Sequence, residues 1–282
     1  MLAGQNENTP VIADLTDKDF KFLQNLVYDE TGIVIGDHKR QMIYRRLVKR
    51  VKELKINDLK SYCSILRNRH NDEMMNFINA VTTNLTSFFR EKHHFEFLSE
   101  EFLPKLIQSE NRRLRIWSSA SSTGEEPYSI AITMLEGLEG HLSNIDAKIL
   151  ATDLDTQVLT TAKRGEYKYD RISDLPPQMI NKWFNKLDNT ENYKAIPTLR
   201  QHITFNQLNL LGQWPMSGLF DVIFCRNVLI YFDTDTQKKM VQRFYDTLQP
   251  NGILMLGHSE SVLKGSKEFA NLGKTIYQKV DR

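Results

Sequence analysis

The sequence predicts an α/β protein: an open, mostly parallel sheet with helices on both faces, preceded by an all-helical segment. Three observations predict it. From residue 113 onward, short β-branched apolar runs alternate with helical patterns, the signature of strand–helix–strand units. Before residue 113 no convincing strand occurs, and apolar residues recur at helical spacing. Between about 167 and 201 the alternation breaks at Pro176-Pro177 and a polar loop near Asp188 to Asn192. That stretch is too long for a simple connection and reads as a subdomain inserted on the rim of the sheet.

The elements follow in order. Thr16 or Asp17 can cap a first helix through Phe20, Phe22, Leu23 and Leu26. Gly32 and Gly36 bracket a break, after which Met42, Leu47, Val51 and Leu54 place an apolar stripe through a basic segment. Two more helices are predicted over about 58–69 and 72–82. Strands are predicted over Leu114–Ala120, Ala147–Thr152, Ile203–Asn209, Phe220–Cys225 and Gly252–Gly257. Helices start at Glu125 and span Thr156–Arg164 and Thr234–Leu248, and a short one in the insertion runs through Trp183-Phe184. The domains are therefore 12–83, helical, and 84–282, α/β with an insertion at about 167–201.

Composition narrows the class. Of 282 residues, 40% are hydrophobic and 26% charged, as in soluble globular proteins. No window approaches the ~18 consecutive apolar residues of a spanning helix. The first residues lack the basic start and apolar core of a secretory signal and read as a polar tail. Cys63 and Cys225 are too few for a disulfide framework or a zinc site, so no metal is expected and a reducing cytoplasm fits. Net charge is +2, but Lys39 to Lys55 holds eight basic residues against one acid, Glu53.

In an open parallel sheet, ligands bind beyond the carboxyl ends of the strands. The first strand ends in Ala120-Ser-Ser-Thr-Gly124, small residues that let a ligand approach the backbone, and not in the G-x-G-x-x-G of dinucleotide folds. Glu125 and Glu126 then open a helix where they would repel phosphate but hold a cation. The plainer alternative is that they only complement the helix dipole. Asp153 directly follows the second strand, where an acid commonly takes both ribose hydroxyls of an adenosine ligand; Asp155 is better placed as a cap. Leu208 and Asn209 suit an adenine ring. The fourth strand ends in Cys225-Arg226-Asn227-Val-Leu-Ile-Tyr231, bringing polar groups and a phenol to the same edge, and Asp221 reads as structural. Asn84-Leu-Thr86-Ser-Phe88-Phe89-Arg90-Glu91 lies between the two domains as a lid or as an ordinary linker with an aromatic anchor.

That last string, together with Ser-Ser-Thr-Gly-Glu-Glu-Pro-Tyr-Ser-Ile-Ala, Phe-Cys-Arg-Asn-Val-Leu-Ile-Tyr-Phe-Asp and Gly257-His-Ser-Glu-Ser261, resembles the chemotaxis receptor methyltransferases of the CheR family. The strings are long, occur in the family's order and span nearly the whole chain. The resemblance implies an all-α N-terminal domain, a class I S-adenosylmethionine methyltransferase domain with a mostly parallel seven-stranded sheet, and a small antiparallel β-subdomain in the insertion. It implies a protein-glutamate O-methyltransferase that forms methyl esters on membrane-bound receptors during sensory adaptation, with S-adenosylhomocysteine as product. By motif, Asn84, Thr86 and Arg90 would contact the cofactor, and Arg90 would also stand at the reaction centre. Glu126, preferred to Glu125 though the doublet leaves the register open, would hold the methionine ammonium. Asp153 would bind the ribose, Leu208 and Asn209 the adenine, Arg226 and Asn227 the pocket, and Tyr231 would face the transferred methyl.

A carboxylate nucleophile is already ionised at neutral pH, so no general base is required. On the basic helix Arg46 and Arg50 lie four apart and, with Lys39, can share a face that docks on acidic receptor helices, although a charge run is often only a solvated face. Nucleic acid is not expected as a partner, nor is membrane insertion, and nothing suggests more than a monomer. Some family members bind a receptor's C-terminal pentapeptide at the β-subdomain through a glycine-rich loop; Leu187 to Lys194 contains no glycine, which predicts weak or absent tethering. The rival readings are an RNA or small-molecule methyltransferase on the same fold and a non-catalytic S-adenosylmethionine-binding signalling module.

Overall fold

The computed structural model describes residues 14–68, 71–262 and 267–280, without the side chain of Asn71. The polar tail and the start of the helical domain at 12 and 13 fall outside those residues, as does Arg69 at the end of the third predicted helix. The chain forms two compact units, Met1–Thr82 and Thr83–Arg282.

Among the described residues the first unit has four α-helices, α1 (Asp17–Thr31), α2 (Arg40–Glu53), α3 (Leu59–Arg67) and α4 (Asn71–Val81), and a 3-10 turn at Asp37–Lys39. Of the two candidate caps for α1 it is Thr16 whose hydroxyl accepts the Asp19 N–H, at 3.1 Å. Gly32, at φ 70°, closes the same helix by donating to the Tyr28 carbonyl, and Asp58 caps α3. Ile43, Leu47 and Val51 form the buried stripe of α2, packing with Leu23, Val27, Tyr62 and Phe77. Met42 and Leu54, expected in that stripe, are only partly buried against it. A straight helix keeps residues spaced by four on one face, and 43, 47 and 51 satisfy that spacing better.

A buried ion pair ties α2 to α4. Glu73 of α4 is 7% exposed and takes a bidentate pair from Arg50, Nε to Oε1 at 2.8 Å and Nη2 to Oε2 at 2.7 Å. The Tyr62 hydroxyl donates to the same carboxylate at 2.7 Å. Burial works to raise the Glu73 pKa, but the Arg50 and Tyr62 hydrogen bonds outweigh it and hold the carboxyl below its usual value. Arg46 donates its Nη1 to the carbonyls of Ala80 (3.3 Å), Val81 (3.1 Å) and Thr82 (2.5 Å) and so caps the end of α4.

In the second unit a helix runs from α5 (His93–Phe97) through a π-helical turn (Leu98–Phe102) into α6 (Leu103–Gln108), ahead of the first strand. The sheet-forming strands are β1 (Arg113–Ser118), β2 (Asp146–Asp153), β6 (Ile203–Gln207), β7 (Phe220–Cys225), β8 (Leu248–Leu256), β9 (Phe269–Gly273) and β10 (Ile276–Lys279). They lie in the order β6-β2-β1-β7-β8-β10-β9, parallel except for β10, which is antiparallel to both its neighbours. Residue patterns alone point to five of these seven strands. The β9–β10 hairpin escapes them because β9 exposes every residue after Phe269 and so lacks apolar alternation.

Helices α7 (Glu125–Gly137), α8 (Thr156–Arg164) and α12 (Thr234–Thr247) connect the strands. The insertion holds β3 (Glu166–Lys168), α9 (Tyr169–Ile172), α10 (Pro177–Trp183), β4 (Phe184–Lys186), β5 (Asn192–Ala195) and α11 (Pro197–Arg200). Its strands make a separate antiparallel sheet, β3-β5-β4. The predicted short helix stops at Trp183, and Phe184 opens β4. Among the described residues no helix is long and apolar enough to cross a membrane.

Chain order reverses between β1 and β7, so their carboxyl ends open the crevice where such sheets bind ligands.

Removing the guanidinium of Arg50 strands a buried carboxylate. Arg50→Ala should destabilise the helical unit by about 3–5 kcal/mol in urea unfolding, whereas Lys49→Ala, whose side chain is 82% exposed, should change it by less than about 0.5 kcal/mol.

Candidate functional site

The crevice is built from the Asn84–Glu91 linker and from segments that leave the carboxyl ends of strands. After β1 the chain turns through Ser121 to Gly124 into α7. Gly124 has φ 101°, and a Cβ there would lie 2.7 Å from the Tyr167 hydroxyl and 3.0 Å from the Ala162 Cβ. Only glycine fits this turn, which is what makes the helix start so close to the strand.

The helix start separates the glutamate doublet. Glu125 turns toward the insertion: Arg171 of α9 pairs with it through Nε at 3.1 Å and through Nη2, which also donates to the Thr86 carbonyl at 3.0 Å. Glu126 turns to the strand ends, accepting from Ser118 Oγ at 2.7 Å and from Arg226 Nη1 at 3.0 Å. Burial pushes the Glu126 carboxyl up, with Arg226 and Ser118 opposing it.

Arg226, just after β7, has a side chain only 2% exposed and lies between two acids, Glu126 and Glu91. Its Nη2 stands 3.4 Å from Glu91 Oε2 and also donates to the Arg90 carbonyl. Glu91 in turn accepts from His258, ring nitrogen at 2.9 Å and backbone N–H at 3.2 Å. Burial would raise the Glu91 pKa, but His258 and Arg226 together hold it down at about 2. His94, on the other side of Glu91, is driven down to about 3, first by burial and then by the Arg226 charge, so its ring is neutral at physiological pH.

At the end of β2 the Asp153 carboxylate accepts the Ser122 N–H at 2.8 Å and the Asp155 N–H at 2.9 Å. Burial nevertheless raises its pKa to about 6. Asp155 caps α8 as expected, accepting from Gln157 and Val158, and receives Asn84 Nδ2 at 2.8 Å. The Asn84 carbonyl accepts Ser122 Oγ at 2.9 Å, so the linker is stitched to both strand ends. Leu208, after β6, is buried and donates its N–H to the Asp153 carbonyl, with half-buried Asn209 beside it.

The linker is under strain where it matters. Phe89 and Glu91 have φ of 51° and 56°, flanking Arg90, whose Nη1 donates to the Leu85 carbonyl at 3.0 Å. Ser122 and Asn227 are also in the left-handed region, at 47° and 59°. Non-glycine residues rarely adopt such conformations, which cluster at functional sites. Tyr231 is half-buried in a one-turn 3-10 helix, Leu229–Tyr231, on the loop that begins at Asn227.

Hydrogen bonds thus join Asn84, Asp153 and Leu208 in one group and Arg90, Glu126 and Arg226 in another, with Thr86 tied through Arg171 to Glu125, while Asn209, Asn227 and Tyr231 lie on loops leaving the same strand edge. Lys39, Arg46 and Arg50 belong to the helical unit. Sequence reasoning missed Glu91, Arg171, His258 and Glu260 as functional residues. Three of these stand in or beside the diagnostic strings, which was the available signal. Glu91, His93 and His94 lie within metal-ligating distance of one another, yet the Arg226 guanidinium already supplies a cation to Glu91.

Two observations bear on a nucleoside cofactor with a cationic end. Two carboxylates, Glu126 and Asp153, terminate neighbouring strand connections. Arg226 Nε and Ser121 Oγ are buried there with no protein hydrogen-bond partner. That donor and acceptor set fits S-adenosylmethionine.

Comparison with known proteins finds relatives over nearly the whole chain. Residues 84–278 match the family described as CheR methyltransferase, SAM binding domain, and residues 18–82 match the CheR methyltransferase all-alpha domain. A chemotaxis protein methyltransferase of Escherichia coli K12 is 40% identical over 269 residues, covering 93% of this chain and 91% of its own length. One from Salmonella typhimurium is 42% identical over 269 residues, covering 93% and 90%. A probable chemotaxis protein methyltransferase of Rhizobium etli is 40% identical, covering 90% of this chain and 96% of its own.

Proposed function

The chain belongs to the CheR methyltransferase family, and on that premise we propose that it transfers the methyl group of S-adenosylmethionine to glutamate side chains of chemotaxis receptors, forming methyl esters. The observation that carries the site-level reading is the buried Glu126–Arg226–Glu91 array at the switch point of the sheet.

S-adenosylmethionine supplies an electrophilic methyl on a positively charged sulfur. Glu126 holds its ammonium, Asp153 its ribose hydroxyls, and Leu208 and Asn209 its adenine. Asn84 and Thr86 lie over it from the linker, and Arg226 and Asn227 line the pocket. The receptor glutamate, with a reference pKa of ~4.3, arrives ionised and needs no base. Arg90 draws its carboxylate in, and the Tyr231 hydroxyl orients it. Holding reactants in line is worth ~7–11 kcal/mol of barrier, so orientation can account for much of the rate.

Receptor docking falls to the helical unit. Arg46 and Arg50 engage internal carbonyls and Glu73, so the outward charge of α2 comes from Arg45, Lys49 and Lys52, all exposed. Their spacing of four and three puts them on one helix face. Lys39, Arg46 and Arg50, each partly exposed, flank it. The β4–β5 connection has Asn189 at φ 56° as its one left-handed residue and no glycine, and the proposal does not rely on tethering to a receptor tail. In this reading the protein works from the cytoplasm as a monomer.

The central experiment incubates the protein with labelled S-adenosylmethionine and receptor-bearing membranes, then adds alkali. Release of volatile methanol is expected from a glutamyl ester; an alkali-resistant label, or label on RNA, would refute the proposal. In the same assay Tyr231→Phe and Arg90→Ala should lower turnover by ~10²-fold, while Tyr231→Phe leaves cofactor affinity within a few-fold of wild type.

Ribose hydroxyls donate to an ionised Asp153, whose ligand-free pKa is about 6. Protonation therefore competes with cofactor, and affinity for S-adenosylhomocysteine should weaken by approaching tenfold per pH unit below about 6. Calorimetry from pH 5 to 8 reads this directly, and Asp153→Asn should bind weakly with a flat profile.

Combined reversal of Arg45, Lys49 and Lys52 to Glu should raise the apparent KM for receptor at least ~10-fold with cofactor affinity unchanged. The wild-type KM should itself rise with salt. A KM indifferent to both would place docking elsewhere.

A further inference from the structure

The Asn227–Tyr231 loop is held by a residue that the cofactor and substrate roles above do not use. Glu260 lies on the turn after β8 and is 5% exposed. Its carboxylate accepts four backbone N–H groups: Oε2 from Asn227 at 2.8 Å and Gly257 at 2.6 Å, Oε1 from Val228 at 2.7 Å and Ile230 at 3.2 Å. Three of these donors belong to the loop that leads from Asn227 into the turn carrying Tyr231. Successive N–H groups turned to one point form an anion-binding nest, and here an internal carboxylate fills it.

The arrangement leaves little freedom. Asn227 adopts φ 59°, a conformation that its neighbours must impose. A Cβ on Gly257 would lie 2.8 Å from Glu260 Oε2 and 2.8 Å from the Asn227 nitrogen. Position 257 therefore brings two backbones together around the carboxylate. Farther along, Gln237 Nε2 donates to the carbonyls of Leu229 and Phe232 at 2.9 and 3.0 Å, fixing the far side of the turn.

We infer that Glu260 is a positioning residue for methyl transfer, its carboxylate setting the Asn227–Ile230 backbone so that the Tyr231 hydroxyl meets the incoming carboxylate. The inference rests on the role proposed above for Tyr231. Glu260→Gln preserves size but replaces one acceptor oxygen with an NH₂ group. Either the Asn227 and Gly257 donors or the Val228 and Ile230 donors then face another donor, and the loop must shift.

The test is a double-mutant cycle on turnover with saturating cofactor, using Glu260→Gln, Tyr231→Phe and the pair. Glu260→Gln should lower kcat by ~10²-fold, in line with a displacement of about 1 Å at a reacting group. In the Tyr231→Phe background it should cost less than about threefold more, because the group it positions is gone. A residue that only supports stability would cost the same factor in both backgrounds, and that result, or wild-type turnover for Glu260→Gln, would overturn the inference. Full turnover by Tyr231→Phe alone would instead sink the Tyr231 role and this inference with it. If Glu260→Gln does not fold, Gly257→Ala, which pushes on the same contact from the other side, is placed in the same cycle with the same expected sub-additivity.

Discussion

Arg226 is the side chain on which the ligand end of the sheet depends. It leaves the end of β7, where it is almost wholly buried and its charge is largely cut off from solvent. The protein answers with Glu126 from the start of α7, Glu91 from the linker and the Arg90 carbonyl. The partners come from two segments besides its own, so neutralising one buried cation ties three pieces of backbone together. The face of Phe95, 5.6 Å from the guanidinium carbon, adds a further favourable contact. A buried ion pair is weak evidence for stability, since desolvation offsets much of the attraction, but it is strong in specifying geometry. Geometry is also what the proposed methyl transfer, which needs no general base, would require.

The same reasoning explains where strain resides. Phe89, Glu91, Ser122 and Asn227 hold left-handed backbone within the segments that Arg226, Asp153 and Glu260 clamp. Such conformations cost of order 1–3 kcal/mol each and persist only where surroundings over-determine them. The clamps are carboxylates and a guanidinium accepting or donating to backbone groups, which are stronger than neutral hydrogen bonds. Side-chain charge is thus used to shape main chain, and the shaped main chain presents Arg90 and Tyr231. The insertion joins this scheme through Arg171, which binds both Glu125 and the Thr86 carbonyl.

Much of this was legible in the sequence, for reasons that mark its limits. Glu126, Asp153 and Leu208 could be placed at the carboxyl edge of the sheet because strand ends are visible as apolar runs and the next residues then lie at that edge. Asp155 was readable as a cap because capping is local. The Arg226 network was not readable from pattern: Arg226 is 100 positions from Glu126, and long-range ion pairs leave no periodic trace. The basic helix failed in the same way. Its charges suggested one outward face, yet Arg50 turns inward to Glu73, 23 positions away, and the outward face passes to Arg45, Lys49 and Lys52. The β9–β10 hairpin was hidden because an edge strand that is exposed along most of its length has no alternation to detect.

Two buried carboxylates with opposite fates show how the site divides its labour. Glu91 is held near pKa 2 by Arg226 and His258 and stays charged at any working pH, suiting a permanent strut. Asp153 has only backbone N–H donors and no cation, so burial lifts it to about 6. It is ionised at neutral pH at a cost that ligand hydroxyls can relieve. A strut gains from the deepest possible charge stabilisation, because nothing must exchange with it. A ligand-binding carboxylate, the role proposed for Asp153, gains from being left under-satisfied, because its remaining acceptor capacity is what a ligand would meet. The pairing of one with a guanidinium and the other with main chain alone follows from those two tasks.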